Sequence, residues 1–408
     1  MMKTKRGRSL LDRVGRFRRF WSVVGSIGVA LAFAAMAVVM ILLLLDAVVA
    51  AQIPASQAPS ASEALGIPGV NPIIPVGYGI IALVVGIVLH ELAHGVLARS
   101  QNIGVKSLGI LWFVVPVGAF VEQDDEEMNR APRRQRRRVA AAGVLANFVL
   151  AVAFFVALSA VLSGSIAPNA NGAAIAEVVA GSPAANASLV PGDIITAVNG
   201  TPTPDNTALL NALSAGTPGE QVNITYYDPS SSTTVTRPIV LGERGAFESG
   251  DPTHAHEGFL GVAPLFFTPA QLKSNLVNPF AGSNGPLIGA TDWIVLPLAG
   301  VEPVAGPTES FFHLTGPLAG LGSGSFWILA NILYWLAWMN FLLGLSNALP
   351  LIPLDGGLLF RDFVAGLASR LKPAWNAARL DQFSGSATVA SSILVVLLIV
   401  WQFVAPHL

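Results

Sequence analysis

Two histidines four residues apart, with a glutamate beside the first, carry the clearest chemistry in this chain: His90-Glu91-Leu92-Ala93-His94. On a helix, positions i and i+4 share a face, so His90 and His94 can point at one ion. Glu91, next to the first of them, can serve an attacking water as general base. The chain has only 6 histidines, so a chance match to HExxH is of order ~one in a thousand. The motif lies in an apolar stretch, GYGIIALVVGIVLHELAHGVLARS. Ionisable side chains are expensive there and mark function by default. Three of them in one turn need something to offset their desolvation. A divalent cation does so, and a cluster of mutually satisfied polar groups is the other reading.

A catalytic zinc ion takes three protein ligands and leaves a fourth position open. Cysteine is absent, so the third ligand must be His, Asp or Glu. Asp355, in NALPLIPLDGG, is the carboxylate between Glu309 and Asp362 and follows an apolar run. Pro350 and Pro353 break the helix ahead of it. Irregular backbone at membrane depth is tolerated only when buried in protein or lining a cavity. Gly356 and Gly357 permit close approach of another chain. The alternative is that Asp355 caps the helix that follows it.

The elements that would position these residues are membrane spans. Of 408 residues, 53% are hydrophobic and 12% charged. Soluble domains carry about 25% charged residues, so a soluble enzyme and a disordered chain are both excluded. Five apolar runs stand out: 20–51, 73–98, 139–162, 326–349 and 387–405. Each approaches or exceeds the ~17–25 residues that a crossing helix needs. The first is too long for the apolar core of a signal peptide, about 7–15 residues, and reads as a retained anchor. The segments 1–19, 99–138 and 350–386 hold 8, 8 and 4 of the 23 Lys and Arg residues. They are alternate loops, as five crossings require. The positive-inside rule then puts the N-terminus in the cytoplasm and residues 163–325, with 12 acidic and 3 basic residues, outside. The run Arg133–Arg138 could mark a nucleic-acid patch. Its place beside a span favours the topological reading, and no nucleic-acid partner is expected. His94 near the end of the second run and Asp355 just past the fourth fall on the same, cytoplasmic side.

Residues 172–243 read as a compact module. A strand over 173–179 is followed by a Gly-Ser-Pro turn and a short helix over 184–188. After Pro191-Gly192-Asp193 come a strand over 194–198, the hairpin-type turn Asn199-Gly200, a helix over 206–215 and an alternating strand over 222–227. The order, with its GSPA and PGDIITAVNG segments, resembles a circularly permuted PDZ domain. That resemblance implies an edge strand near 173–179 able to accept a peptide or a C-terminus. A lid or size filter is the other reading. Residues 245–323 match no fold. Thr253-His254-Ala255-His256-Glu257 reads as a solvated turn and His313 as structural.

HELAHG in one span, PLDGG after a later one and a PDZ-like module between them resemble the site-2 protease family of intramembrane zinc metalloproteases. By that resemblance one Zn2+ is held by His90, His94 and Asp355, and Glu91 is catalytic. The segment Gly104–Glu122 resembles the family's membrane-associated β-hairpin, with Val117, Gly118, Ala119, Phe120 and Val121 as an edge for substrate. Gly143 and Asn147 match the family's GxxxN. Asn147 would help hold the oxyanion or substrate backbone, or simply bond between helices. Asn347 resembles a residue that orients the scissile segment, and Asn340 reads as helix packing.

The expected architecture is a polytopic α-helical membrane protein with about five transmembrane helices, a membrane-associated hairpin and one extracytoplasmic α+β PDZ-like domain. The expected divisions are 1–51, 73–163, 172–243, 245–323 and 326–405. The expected partners are a single-span membrane protein substrate, a peptide at the PDZ-like domain and the lipid bilayer of the cell membrane. The expected reaction is cleavage within the substrate's span, as in regulated intramembrane proteolysis. A non-proteolytic scaffold with a structural metal is the alternative.

Overall fold

The computed structural model describes residues 2–4, 7–55, 66–112, 116–246, 257–278 and 307–408, with isolated positions between them. Residues 253–256 and most of the apolar patch 285–300 lie outside the described residues. The chain forms two compact units, Met1–Phe155 with Trp335–Leu408, and Val156–Tyr334.

Among the described residues, five helices are long and apolar enough to cross a bilayer: Arg18–Ala50, Val76–Ser100, Arg133–Ser163, Ser323–Asn347 and Ala377–His407. At 1.5 Å per residue, 25 residues reach about 37 Å, beyond the ~30 Å of hydrocarbon. Two of them start well before the apolar runs that announce them. The third begins at Arg133 and breaks at Ala141, giving Arg133–Ala140 and Ala142–Ser163. The fifth begins at Ala377, where the Asn376 side chain accepts from the Arg379 N–H at 2.9 Å. Hydropathy marks only what lipid requires, and a capped helix continues into water.

The first unit also holds a three-stranded sheet, in the order Met2–Thr4, Val105–Trp112, Pro116–Gln123. The hairpin pairs Leu108 with Val121 and Ile110 with Ala119, and Pro116–Gln123 is left at the edge. The strand Met2–Thr4 comes from the basic N-terminal segment, which the sequence reading treats only as a topology signal. Met2 pairs with Ile110 and Thr4 with Leu108. The helix Arg8–Gly15 then buries Leu11, 2% exposed, in a cluster with Leu97, Ile103 and Val121. Gly95, the residue after His94, makes room for it. A Cβ there would lie 2.8 Å from Leu11 Cδ1 and 3.2 Å from Val121 Cγ1. Asp12 pairs with Arg99 on the same helix as the histidines.

The second unit contains a sheet ordered Val262–Pro264, Ala173–Val178, Ile194–Val198, Gln221–Asp228, Thr233–Val240, with Thr201–Pro202 paired to the third. Ile175, Ile195, Ile224 and Leu209 from the helix Asn206–Ser214 fill its core. Asn199 and Gly200 both take positive φ, 50° and 77°, as a two-residue hairpin turn of that type requires. Two expectations are corrected here. Ala173–Val178 is not an edge strand, because Val262–Pro264 pairs with it antiparallel, Val262 opposite Val178. Leu260 and Val262 pack on the same core, so the sheet extends past residue 243 and draws on the stretch that matched no fold. A three-residue strand, here Val-Ala-Pro, is too short to show a strand period in the sequence.

Leu11→Ala is expected to leave a cavity where the histidine helix, the hairpin and the N-terminal helix meet, at a cost of about 2–5 kcal/mol. Thermal unfolding in detergent should show a lower midpoint, with the amides of 108–112 and 117–121 losing hydrogen-exchange protection first. An unchanged midpoint would show that the N-terminal helix does not brace the hairpin.

Candidate active site

His90 and His94 lie one turn apart on Val76–Ser100 and are 8% and 6% exposed. Their Nε2 atoms are 3.2 Å from each other. Asp355 Oδ2 lies 3.1 Å from His94 Nε2 and 3.4 Å from His90 Nε2, although 261 residues separate Asp355 from His94 in the chain. Asp355 is the first residue of the helix Asp355–Leu371, reached through a turn that follows Asn347. Gly356 is needed there, since a Cβ would fall 2.2 Å from the Leu349 carbonyl oxygen and 2.3 Å from that of Ala348. The chain that approaches the glycine pair is thus the preceding turn, not a separate segment as the sequence suggested.

Three ligand atoms within 4.8 Å of one another could hold an ion. His94 Nδ1 lies 2.8 Å from the Val139 carbonyl, which accepts its N–H and leaves Nε2 with a lone pair. His90 Nδ1 is 3.1 Å from the Asn147 amide, whose Oδ1 is buried without a partner. Amide orientation follows the bonding network. Turning this amide over sets Oδ1 against an Nδ1–H and frees His90 Nε2 as well. Two lone pairs and a carboxylate oxygen then converge. A cation satisfies all three, whereas a shared proton satisfies at most two. Two imidazoles and one carboxylate suit zinc, and a set of three protein ligands is that of a catalytic site. The space is kept by Gly143. A Cβ there would fall 2.3 Å from His90 Nε2 and 2.5 Å from His94 Nε2, where the ion belongs.

Glu91 Oε2 accepts the Val121 N–H at 2.9 Å, which ties the expected general base to the expected edge strand. Glu91, His94 and Asp355 line a cavity of about 730 Å³ that continues past Arg136, Arg361 and Asp381. Asn347 makes no hydrogen bond to the cluster. Its Nδ2 turns back to the Leu343 carbonyl of its own helix at 2.9 Å. Asn340 does the same with Leu336 at 2.8 Å and faces Gly86 of the histidine helix, as packing requires. His313 bonds Asn169 at 2.9 Å beside the strand Phe312–Leu314. The sequence reading missed Val139, because a backbone carbonyl leaves no mark in residue type.

The family model for peptidase family M50 matches residues 78–389, which include both histidines, Glu91, Gly143 and Asp355. The chain belongs to peptidase family M50. M50 is the site-2 protease family, so Zn2+ is the ion implied for the cluster His90, His94 and Asp355, and the five apolar helices are those of an integral membrane protein. The chain is similar to an uncharacterized protein of Methanocaldococcus jannaschii, 35% identical over 37% of this chain and 40% of that one. It is also similar to a putative zinc metalloprotease of Lactococcus lactis, 26% identical over 62% of this chain and 55% of that one. The zinc metalloprotease RasP of Shouchella clausii is 25% identical over 70% of this chain and 65% of its own length. The chain thus spans less than two thirds of each of these three relatives.

Gly143→Ala is expected to crowd the ion out and to weaken metal retention about tenfold or more. Zinc per chain, measured by mass spectrometry of the purified and dialysed protein, checks this. Full zinc content in the variant would show that the cluster does not close around the space beside Gly143.

Proposed function

We propose that this M50 member is an intramembrane metalloendopeptidase that hydrolyses a peptide bond within a membrane-spanning segment of its substrate. The observation that carries this reading is the convergence of His90, His94 and Asp355 on one point inside an apolar bundle, with Glu91 lining the same cavity. When bound there, zinc polarises the scissile carbonyl and lowers the pKa of water. Glu91 takes the water's proton and passes it to the leaving amine. Its bond to the Val121 N–H fixes the carboxylate beside the hairpin strand. Val139 and Asn147 hold the two imidazoles in the tautomer that keeps Nε2 unprotonated. This gives Asn147 an orienting role toward His90 in place of the oxyanion role.

A helical substrate hides its carbonyls, so it must unwind before attack. Successive residues of a strand alternate their backbone groups between the two sides. Val121 points its N–H away from the hairpin partner toward Glu91, so Ala119 presents its own on that same open side, while the register shifts at Val117. The unwound segment adds there as a further strand. Water reaches the cavity past Arg136, Arg361 and Asp381, at the basic end of the spans. The charge bias assigns that end to the cytoplasm and residues 163–325 to the outside. The product is then a fragment released on the cytoplasmic side, as in regulated intramembrane proteolysis of a single-span protein.

The PDZ-like reading of 172–243 puts its peptide edge at Ala173–Val178, but that flank is filled by Val262–Pro264 of the same chain. The size-filter reading is therefore preferred over peptide capture. The scaffold alternative would want four protein ligands closing the ion off, and among the described residues the cluster has three.

Glu91→Gln should lower cleavage of a model membrane substrate by about 10²–10⁴-fold while zinc stays bound. Asp355→Asn should lose both. Cleavage by the wild type must also stop with a chelator and return with zinc. Full activity in Glu91→Gln removes the base, and unchanged zinc in Asp355→Asn removes the ligand.

For the outer unit, free C-terminal peptides should bind the full chain no better than scrambled ones. Substrates with a bulky outer domain should be cleaved more slowly than trimmed ones. Tight, sequence-specific peptide binding would restore the capture reading.

A further inference from the structure

Five arginines, Arg133, Arg134, Arg137, Arg138 and Arg370, surround a second cavity of about 580 Å³ that the proposed chemistry does not use. It lies between the first span, the helix Arg133–Ala140 and the helix Asp355–Leu371, all within the first unit. Among the described residues, none of the five forms an ion pair with a carboxylate. Asp362 is taken by Arg136 at 2.5 and 3.2 Å, and offers Arg137 only its backbone oxygen, at 2.7 Å. Arg133 bonds the Ser369 hydroxyl at 3.2 Å and Arg138 that of Ser26 at 3.1 Å. The Arg137 Nε is buried and has no partner.

A topology signal requires positive charge near the membrane, but not guanidinium groups gathered around one space. Like charges held together without a counter-ion repel, and the arrangement matches an anion with several oxygens. Arginine forks fit phosphate in this way. The walls are not those of a site for a soluble phosphate. Val29, Phe363 and Leu367 also line the cavity, the last two 46% and 47% exposed. A further groove of about 460 Å³ shares Ser26, Arg134 and Arg138 and runs on along Val23, Ile27 and Ala30 of the first span. Val23 and Ile27 are 61% and 58% exposed, on a helix that crosses the bilayer. A cationic pocket that opens onto an apolar groove along a span has the two parts of a phospholipid.

We propose that this pocket is a binding site for an anionic phospholipid, with the phosphate among the five arginines and an acyl chain along the first span. Basic pockets at helix ends are the usual hosts of such head groups. The site joins the two elements on which the metal cluster rests. Arg137 is on the helix whose Val139 carbonyl holds His94, and Phe363, Gly366 and Ser369 are on the helix that begins at Asp355. A phosphate bridging them fixes their spacing from the side opposite the catalytic cavity.

The test is native mass spectrometry of the full chain released from nanodiscs containing phosphatidylcholine and phosphatidylglycerol in equal amounts. It is carried out on wild type and on Glu91→Gln, so that the outcome is independent of proteolysis. One phosphatidylglycerol per chain should be retained in both. Arg134→Gln with Arg370→Gln should lower that retention roughly 10–30-fold. Gly366→Leu, which keeps every charge, should also lower it, since even a Cβ at that position falls 2.9 Å from Arg137 Nη2. Equal retention of the two lipids, or retention unchanged in both variants, overturns the proposal. Displacement of the lipid by millimolar inorganic phosphate or glycerophosphate assigns the pocket to a soluble anion instead, and also overturns it.

Discussion

Placing ionisable side chains inside a lipid-embedded bundle is the constraint on which the first unit depends. Two imidazoles and a carboxylate sit within hydrogen-bond distance of one another and are largely removed from water. Each would cost several kcal/mol if left unpaired in an apolar interior. Their arrangement makes sense only as a set that shares one positive centre. The surrounding features follow from keeping that set together. The Val139 carbonyl fixes one ring, Asn147 the other, and a glycine at 143 leaves the ion its place. The break at Ala141 lets the same stretch supply both a carbonyl on one side and a bare Cα on the other.

The metal cluster was legible in the sequence because it depends on residue types that have few other reasons to lie in an apolar run. The spans were legible because lipid imposes a length. What stayed hidden depends on backbone or on very short elements. Val139 acts through its carbonyl, and any residue has one. Met2–Thr4 and Val262–Pro264 are three residues long, and a strand of that length has no periodicity to read. The N-terminal charges also had a sufficient explanation in topology, which masked their second role. Arg8–Gly15 carries its basic residues outward while Leu11 packs under Gly95. The Asn347 assignment rested on resemblance alone, and its Nδ2 donates to a carbonyl of its own helix.

The two sheets treat their edges in opposite ways, and the difference bears on function. An unpaired strand edge is a template for another chain, and proteins usually cover it. In the second unit the exposed flank of Ala173–Val178 is covered by a segment from later in the same chain, with Leu260 and Leu265 buried beside it. In the first unit the N-terminal strand covers the hairpin on the side away from the histidines. The flank that faces Glu91 keeps one bond, from the Val121 N–H, and no further strand among the described residues. Edge covering costs little here, since the N-terminal segment already lies alongside. That the flank near the carboxylate is the one left uncovered among the described residues is what the proposed strand-adding substrate needs.

The arginine run after Pro132 shows how a single charge pattern can be divided by helix geometry. Residues four apart share a face. Arg136 turns to Asp362 and the catalytic cavity, whereas Arg134 and Arg138 face the first span. Arg137 reaches across to the helix that begins at Asp355, and Arg133 touches both sides. A signal for membrane orientation is satisfied by any of these placements, because it depends on charge and distance from lipid alone. The side-chain directions therefore carry information that orientation does not require. They tie the helix of Val139 to the helix of Asp355 through Arg136 and Arg137, and so link the two halves of the metal cluster a second time. A helix with lysines in place of these arginines would keep the charge but lose the forked contacts to a carboxylate and a carbonyl at once.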